Sequence, residues 1–242
     1  MKVIITMAGA GSRFKEAGIQ EEKYRLQVKE QTMFEYAMES LRPFFNHEFI
    51  FITRGGHSPD EFLSDRCESL GIEAFQTVEL KTLTAGQAAT AQQAAGHVDD
   101  SESILIYNID TYVEGGYLSR DKLRGDGCIP VFQTEGGSWS YVKVDESGEA
   151  LEIREKEPIS DLASIGLYYF KKFSVFNKAI LEIGHEIEEE YGEQYIAPIY
   201  NWLIERGYSV RIEEIPESAV HILGTPSDVI KFDPLFEKRY KI

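Results

Sequence analysis

Cysteine is almost absent: Cys67 and Cys128 are the only two in 242 residues, far apart and in no CxxC spacing. That excludes a dense disulfide framework and a thiolate zinc site, and it fits a reduced, cytoplasmic compartment. The five histidines form no cluster of ligand or triad type. Long apolar runs are missing as well. The opening MKVIITMAGAG turns to glycine too soon for a secretory h-region, and no window approaches a membrane span, so no membrane insertion is expected. Positive charge is scarce, with 25 Lys and Arg against 41 Asp and Glu. The formal net charge of -16 repels nucleic acid over most of the surface, and a negatively charged substrate must find a local basic pocket. The acidity itself needs no partner to explain it, since solubility or a salty cytoplasm accounts for it.

What is present is enough apolar matter for one sizeable core, 43% hydrophobic and 12% aromatic. The β-branched run Val3 to Met7 ends in glycine and suits a buried parallel strand. Helical spacing over 32–44, the run EFIFIT, a helix over 59–70, a strand near 74–78, a helix around 86–96 and an apolar strand over 103–109 continue in β-α-β order. This predicts an α/β, doubly wound, Rossmann-like sheet. From 127 to 170 short strand-like pieces alternate with EGG and ESGE turns, an antiparallel region grafted onto that sheet. Residues 174–206 read as helical with a break at GEQYIAP, and YSVRIEEI as a further strand. We expect one domain over 1–242, in two halves, 1–126 and 127–242. The EIEEEY run reads as a solvated helix face.

The segment MAGAGSRF sets Ala8, Gly9, Ala10, Gly11 and Ser12 between a strand end and Arg13. Small residues let backbone N–H groups approach a phosphate closely, and a triphosphate is a fitting occupant. A P-loop would need GxxxxGK[ST], and a Rossmann GxGxxG fails because Phe14 stands where its third glycine belongs. Arg13 and Lys23 are two cations able to screen charge on a transferring phosphorus and a departing pyrophosphate, or else ordinary surface charge. In LIYNIDTYV, Asn108 and Asp110 follow an apolar strand, where open sheets bind ligands. Asp110 is then a hard oxygen ligand for magnesium or an Asx turn ending the strand.

MAGAGSRF followed by GIQEEKYRLQVKEQTMFEYAMESL resembles the N-terminal signature of the sugar nucleotidyltransferase superfamily. The resemblance places Lys23 at the family lysine, with Glu22 and Tyr24 replacing its flanking prolines, and it implies a GT-A-like fold and a Mg2+ ligand at Asp110. NID stands where related GT-A glycosyltransferases carry DxD. LTAGQAATAQQAA resembles the base-reading turn and helix, which implies base contacts at Thr84, Gly86 and Gln87, although Thr84 reads equally as a helix N-cap. Residues 138–172 resemble the acceptor half, whose Glu-Lys pair falls on Glu155 and Lys156, with Trp139 or Tyr141 against a sugar face. Longer members take a second metal ligand from an aspartate two residues before the glycine matching Gly224. Here that position is Ile222, leaving Asp228, Glu193 or a water.

The resemblance implies transfer of a nucleoside monophosphate from an NTP to a small phosphorylated metabolite, a sugar 1-phosphate foremost. The short base-reading segment favours CTP or UTP over GTP. A GT-A glycosyltransferase using a nucleotide sugar and a non-catalytic regulatory homologue are the alternatives, and a homo-oligomer stays open.

Overall fold

The computed structural model describes residues 1–55 and 59–242. Strand β1 (Lys2–Thr6) leads through the glycine-rich loop into a short helix α1 (Ser12–Glu16), then into a small ladder β2 (Gln27–Val28) with β3 (Gln31–Thr32) and helix α2 (Met33–Ser40). Strand β4 (Glu48–Arg54), helix α3 (Pro59–Leu70), strand β5 (Phe75–Leu80) and helix α4 (Gln87–Gln92) follow, and then β6 (Ile104–Asn108) and β7 (Thr111–Val113). The order β5-β4-β1-β6 is parallel throughout. Val3, Ile4 and Ile5 are covered on both faces, which is why the strand carries an unbroken apolar run instead of an alternating one. Helix α2 starts where the sequence places a capping box: Thr32 Oγ1 accepts from Glu35 N, and the Glu35 carboxylate accepts from Thr32 N.

The second half is antiparallel and continuous with the first. It comprises β8 (Gly127–Gln133), β9 (Ser140–Val144), β10 (Ala150–Glu155), β11 (Leu162–Ser164) and β12 (Leu167–Phe170). Helices α5 (Phe173–Tyr191) and α6 (Ile199–Glu205) cover it, and β13 (Val210–Glu214) runs parallel to β8. Strands β11 and β12 lie along the same partner, β8, and are parted at Ile165–Gly166. Beyond that break β12 follows β6, whereas β11 follows β9, so the sheet forks beside the end of β6. One apolar layer packs α2 and α3 through Phe34, Met38, Leu63 and Cys67. The other packs α4, α5 and α6 through Ala88, Ala91, Phe176 and Trp202.

The α/β reading of the sequence therefore holds. Three details differ. The expected helix at 86–96 stops at Gln92 and tightens into a 3₁₀ turn over Gln93–His97. The β2–β3 ladder was not foreseen. Nor was the strand β14 (Val220–Ile222), which pairs with β7. Each of these is only two or three residues long, below what periodicity can register. No helix among the described residues is long and apolar enough to cross a membrane.

The C-terminal helices α7 (Pro226–Phe232) and α8 (Phe236–Tyr240) fold back onto the N-terminal loop region. A third apolar cluster joins Phe14, Leu26, Val28 and Met33 to Leu223, Val229 and Phe236. Buried Asp233 accepts from Lys29 N at 2.7 Å and from Arg239 Nη1 at 2.7 Å, while Tyr240 Oη accepts from Gln27 N at 2.7 Å. Burial alone would raise the Asp233 pKa, but these donors outweigh it and hold the carboxyl below its usual range. Arg239→Leu leaves that charge half-satisfied, and we expect a loss of about 1–2 kcal/mol, read as a lower urea midpoint with an unchanged slope.

Candidate active site

Strands β1 and β6 end side by side, Thr6 in register with Asn108. β4 lies on the far side of β1 and β12 on the far side of β6, so the chain departs to both sides of this pair. Such a switch point opens a crevice at the C-terminal strand ends. A cavity of about 580 Å³ lies there, walled by the glycine-rich loop, Lys23, the 83–87 turn, Asn108, Asp110, Glu193 and Gly224.

The loop is shaped by two opposite demands. Phe14 is buried and pins α1 to the core, while Ser12 and Arg13 stay exposed at the cavity mouth. Gly11 has a φ of 64°, a left-handed conformation that costs glycine little, and its carbonyl accepts from Phe14 N and Lys15 N. The N–H groups of Gly9, Ala10, Gly11 and Ser12 bond to no backbone carbonyl among the described residues. Ala8, Gly9 and Ala10 also line the cavity. A turn of free donors with no side chain in the way is a phosphate cradle in its chemistry.

Lys23 opens a 3₁₀ turn over Lys23–Arg25 and reaches across the crevice. Its Nζ donates to Asp110 Oδ2 at 2.8 Å and to the Gly224 carbonyl at 3.2 Å, and lies 5.2 Å from the centroid of the Phe14 ring. The fold thus brings together three segments far apart in sequence. Asp110 is held by its own backbone, whose carbonyl accepts from Leu223 N at 2.8 Å.

On the opposite wall Gly86 has a φ of 153° and packs directly on the Gln194 backbone. Ala88 N donates to Gln194 O, and Gln194 N donates to Ala85 O, both at 2.8 Å. Gly86, not Thr84, is the N-cap of α4. The Thr84 hydroxyl donates instead to Gly86 O and shares a bond with Thr90. Gln87 Nε2 donates to Thr6 Oγ1, tying this wall to β1.

The expected acceptor residues lie beside this cavity and do not line it. Tyr141 is fully buried, with its hydroxyl donating to Gly136 O, and Trp139 packs edge-on against Phe132. Glu155 is 6% exposed, and burial pushes its carboxyl up despite a hydrogen bond from Ser140. Lys156 sits at a φ of 59°, a left-handed conformation that costs a non-glycine residue about 1 kcal/mol or more. Its Nζ donates to Tyr195 Oη at 2.6 Å, which together with nearby Glu155 and Glu193 raises its pKa.

Sequence reasoning missed Gly166 and Tyr168 at the fork. Burial pushes the Tyr168 hydroxyl up to about 12, with Glu155, Ser164, Ser140 and Asp110 all acting on it. Gly166 leaves room for the Asn108 side chain, which a Cβ would strike. Asn108 Oδ1 is buried without a hydrogen-bond partner in the cavity wall. The signal was present in ASIGLYYF, where one glycine interrupts an apolar run.

The residues suit a hard divalent cation. A Cβ on Gly224 would stand 3.8 Å from Asp110 Oδ2 and 3.9 Å from Asp228 Oδ2, so an opening flanked by two carboxylate oxygens exists because residue 224 is glycine. Asp228 Oδ2 also closes the α7 capping box with Thr225, whereas Glu193 belongs to the wall next to Gln194. No group of three or more His, Cys, Asp or Glu side chains forms a cage among the described residues, and His57 lies outside them. Magnesium takes few protein carboxylates and fills its shell with phosphate and water, which this donor set permits.

A family model described as nucleotidyl transferase matches residues 2–210. A nucleotidyltransferase of low-salt glycan biosynthesis from Haloferax volcanii, Agl11, is 25% identical over 246 residues, taking in 97% of this chain and 66% of that protein. The chain therefore spans just under two thirds of that relative's length. The solved nucleoside-diphosphate-sugar pyrophosphorylase from Vibrio cholerae RC9 superposes with a TM-score of 0.87 at 35% identity, over 96% of this chain and 99% of that one. The inositol-1-phosphate CTP transferase from T. maritima shares the fold at a TM-score of 0.73 and 16% identity, over 98% and 95% of the two chains. With the family match running through most of the sequence and the Vibrio cholerae protein alike over nearly its whole length, the chain belongs to the nucleotidyl transferase family.

Proposed function

We propose that this protein is a Mg2+-dependent enzyme that moves a nucleoside monophosphate from an NTP, CTP or UTP ahead of GTP, to a small phosphorylated acceptor, a sugar 1-phosphate foremost. The observation that carries the reading is the meeting of Lys23 with Asp110 beneath a loop of free N–H donors at the switch point. The names borne by the Haloferax volcanii and Vibrio cholerae proteins support the sugar phosphate. In this reading residues 1–126 hold the nucleotide, residues 127–242 hold the acceptor, and the whole chain acts as one domain.

The glycine-rich loop binds the triphosphate through its backbone, and Arg13 and Lys23 balance the charge gathering on the departing pyrophosphate. Thr84, Gly86 and Gln87 face the base. Asp110, with Asp228 ahead of Glu193, holds the metal, which when bound neutralises phosphate charge and orients the α-phosphorus. The acceptor phosphate is already ionised, so its oxygen attacks in line without a general base. Positioning and charge neutralisation supply the rate. Asn108 lines the same cavity and contributes to the nucleotide side of the site.

Pyrophosphate release measured for each of the four NTPs against sugar and non-sugar phosphates tests the proposal. Release with no NTP and acceptor pair, combined with no NTP-dependent stabilisation, sinks it. Lys156→Ala removes a charge next to Glu155 and Glu193, and we expect the acceptor KM to rise about tenfold or more with kcat nearly kept. A rise confined to the KM for NTP shows that Lys156 belongs to the other half of the site.

A further inference from the structure

Lys23 and Asp110 neutralise one another at 2.8 Å, in a cleft where their side chains are 17% and 32% exposed. The proposed chemistry needs these groups apart, the ammonium on a phosphate and the carboxylate on a cation. Lys23 has no other charged partner among the described residues; its remaining contacts are the Gly224 carbonyl and the face of Phe14. Asp110 Oδ2, the oxygen that Lys23 occupies, is the same oxygen that faces the opening over Gly224. The lysine stands where a divalent ion would be taken up.

We propose that Lys23 is a placeholder cation, which keeps free divalent metal off Asp110 and yields its place only to metal and triphosphate arriving together. The proposal rests on reading the cavity as a metal and nucleotide site. A dication arriving alone must strip the ammonium of its anionic partner and then sit within a few ångströms of it, in a cleft that screens like charges less than bulk water does. A metal–triphosphate complex compensates both partners, with a cation for the carboxylate and phosphate oxygens for the ammonium. The lysine is built for the exchange, a compact charge on a flexible stem with rotatable donors. The surrounding backbone stays put: Leu223 N fixes Asp110 from below, and the β14–β7 pairing continues that tie. Metal affinity and nucleotide affinity are thereby positively and reciprocally coupled, each raising the other.

Mn2+ binding by electron paramagnetic resonance, without nucleotide, tests this on the full chain and on Lys23→Met. We expect Lys23→Met to bind Mn2+ about tenfold more tightly than the native protein, Lys23→Arg to keep the weak native affinity, and the gain to vanish when Asp110→Asn is added to Lys23→Met. Thermal melts of each variant check the fold. Equal or weaker Mn2+ binding by Lys23→Met overturns the proposal, and so does a gain that survives Asp110→Asn. Equilibrium dialysis of the native protein with Mn2+ and a non-hydrolysable CTP or UTP analogue separates the two levels. If the complex binds and the Lys23→Met gain is absent, only the placeholder fails. If the complex does not bind, the reading of the site falls and takes the placeholder with it.

Discussion

Asp110→Asn should abolish the proposed Mg2+-dependent pyrophosphate release, by about a thousandfold or more, in a protein that still folds; this is the largest effect on activity that the site predicts. Asparagine keeps the shape of aspartate, so the substitution removes charge and little else. Two functions of the carboxylate go together. The proposed metal site would lose the carboxylate that follows the end of β6, and the Lys23 ammonium loses its partner at 2.8 Å. The fold has little stake in that side chain. Asp110 is partly exposed, and its structural bond, from Leu223 N, goes to the backbone carbonyl, which asparagine retains. Melting within a few degrees of the native protein is therefore expected, alongside the lost turnover. A coupled pyrophosphate assay over a range of Mg2+ concentrations reads the first quantity and circular dichroism the second. Undiminished release would remove Asp110 from the metal site. Lost release with a collapsed melt would make it a structural residue.

How far the site was legible depends on what each part is made of. The glycine-rich loop and the strand ends were readable because a tight turn with open N–H donors demands small residues at fixed places, and buried parallel strands demand apolar runs. The meeting of Lys23 with Asp110 was not, since their contact spans 87 positions and is set by how β14 and the C-terminal helices close over the loop. Tyr141 and Tyr168 make the same point for facing. Both are buried in their strands, and where both neighbours along a strand are covered, alternation no longer tells which surroundings each tyrosine meets. The structure buries Tyr141 in the core and sets Tyr168 among Ser140, Ser164 and Glu155. Asp228 carried a signal that reads clearly in hindsight. Thr225-Pro-Ser-Asp228 is a capping-box pattern, and that box holds its carboxylate 3.9 Å from the Cβ position of Gly224.

Gly86→Ala should be the costliest single methyl group in the cavity wall. A Cβ there would stand 2.5 Å from Gln194 N, 2.7 Å from Gln194 O and 2.9 Å from Gln194 C, all backbone atoms that cannot rotate away. The φ of 153° is one that only glycine adopts readily, so the strain remains even if the neighbour yields. Two backbone bonds of 2.8 Å hold the turn against Gln194, and moving either partner breaks them. Together these cost about 2–4 kcal/mol, a fall in melting temperature of roughly 5–10 °C for a chain of this size. The same movement shifts Thr84 and Gln87 off the wall proposed to face the base, so the KM for NTP should rise with the lost stability. Gly9→Ala is the control. Its Cβ meets nothing within 4 Å, so stability should be kept, yet the methyl group enters the space proposed for phosphate and the KM for NTP should still rise. Stability and nucleotide binding should therefore fall together at Gly86, and nucleotide binding alone at Gly9. A Gly86→Ala protein with native melting and native KM would mean that the Gly86–Gln194 contact neither braces the fold nor shapes the nucleotide wall.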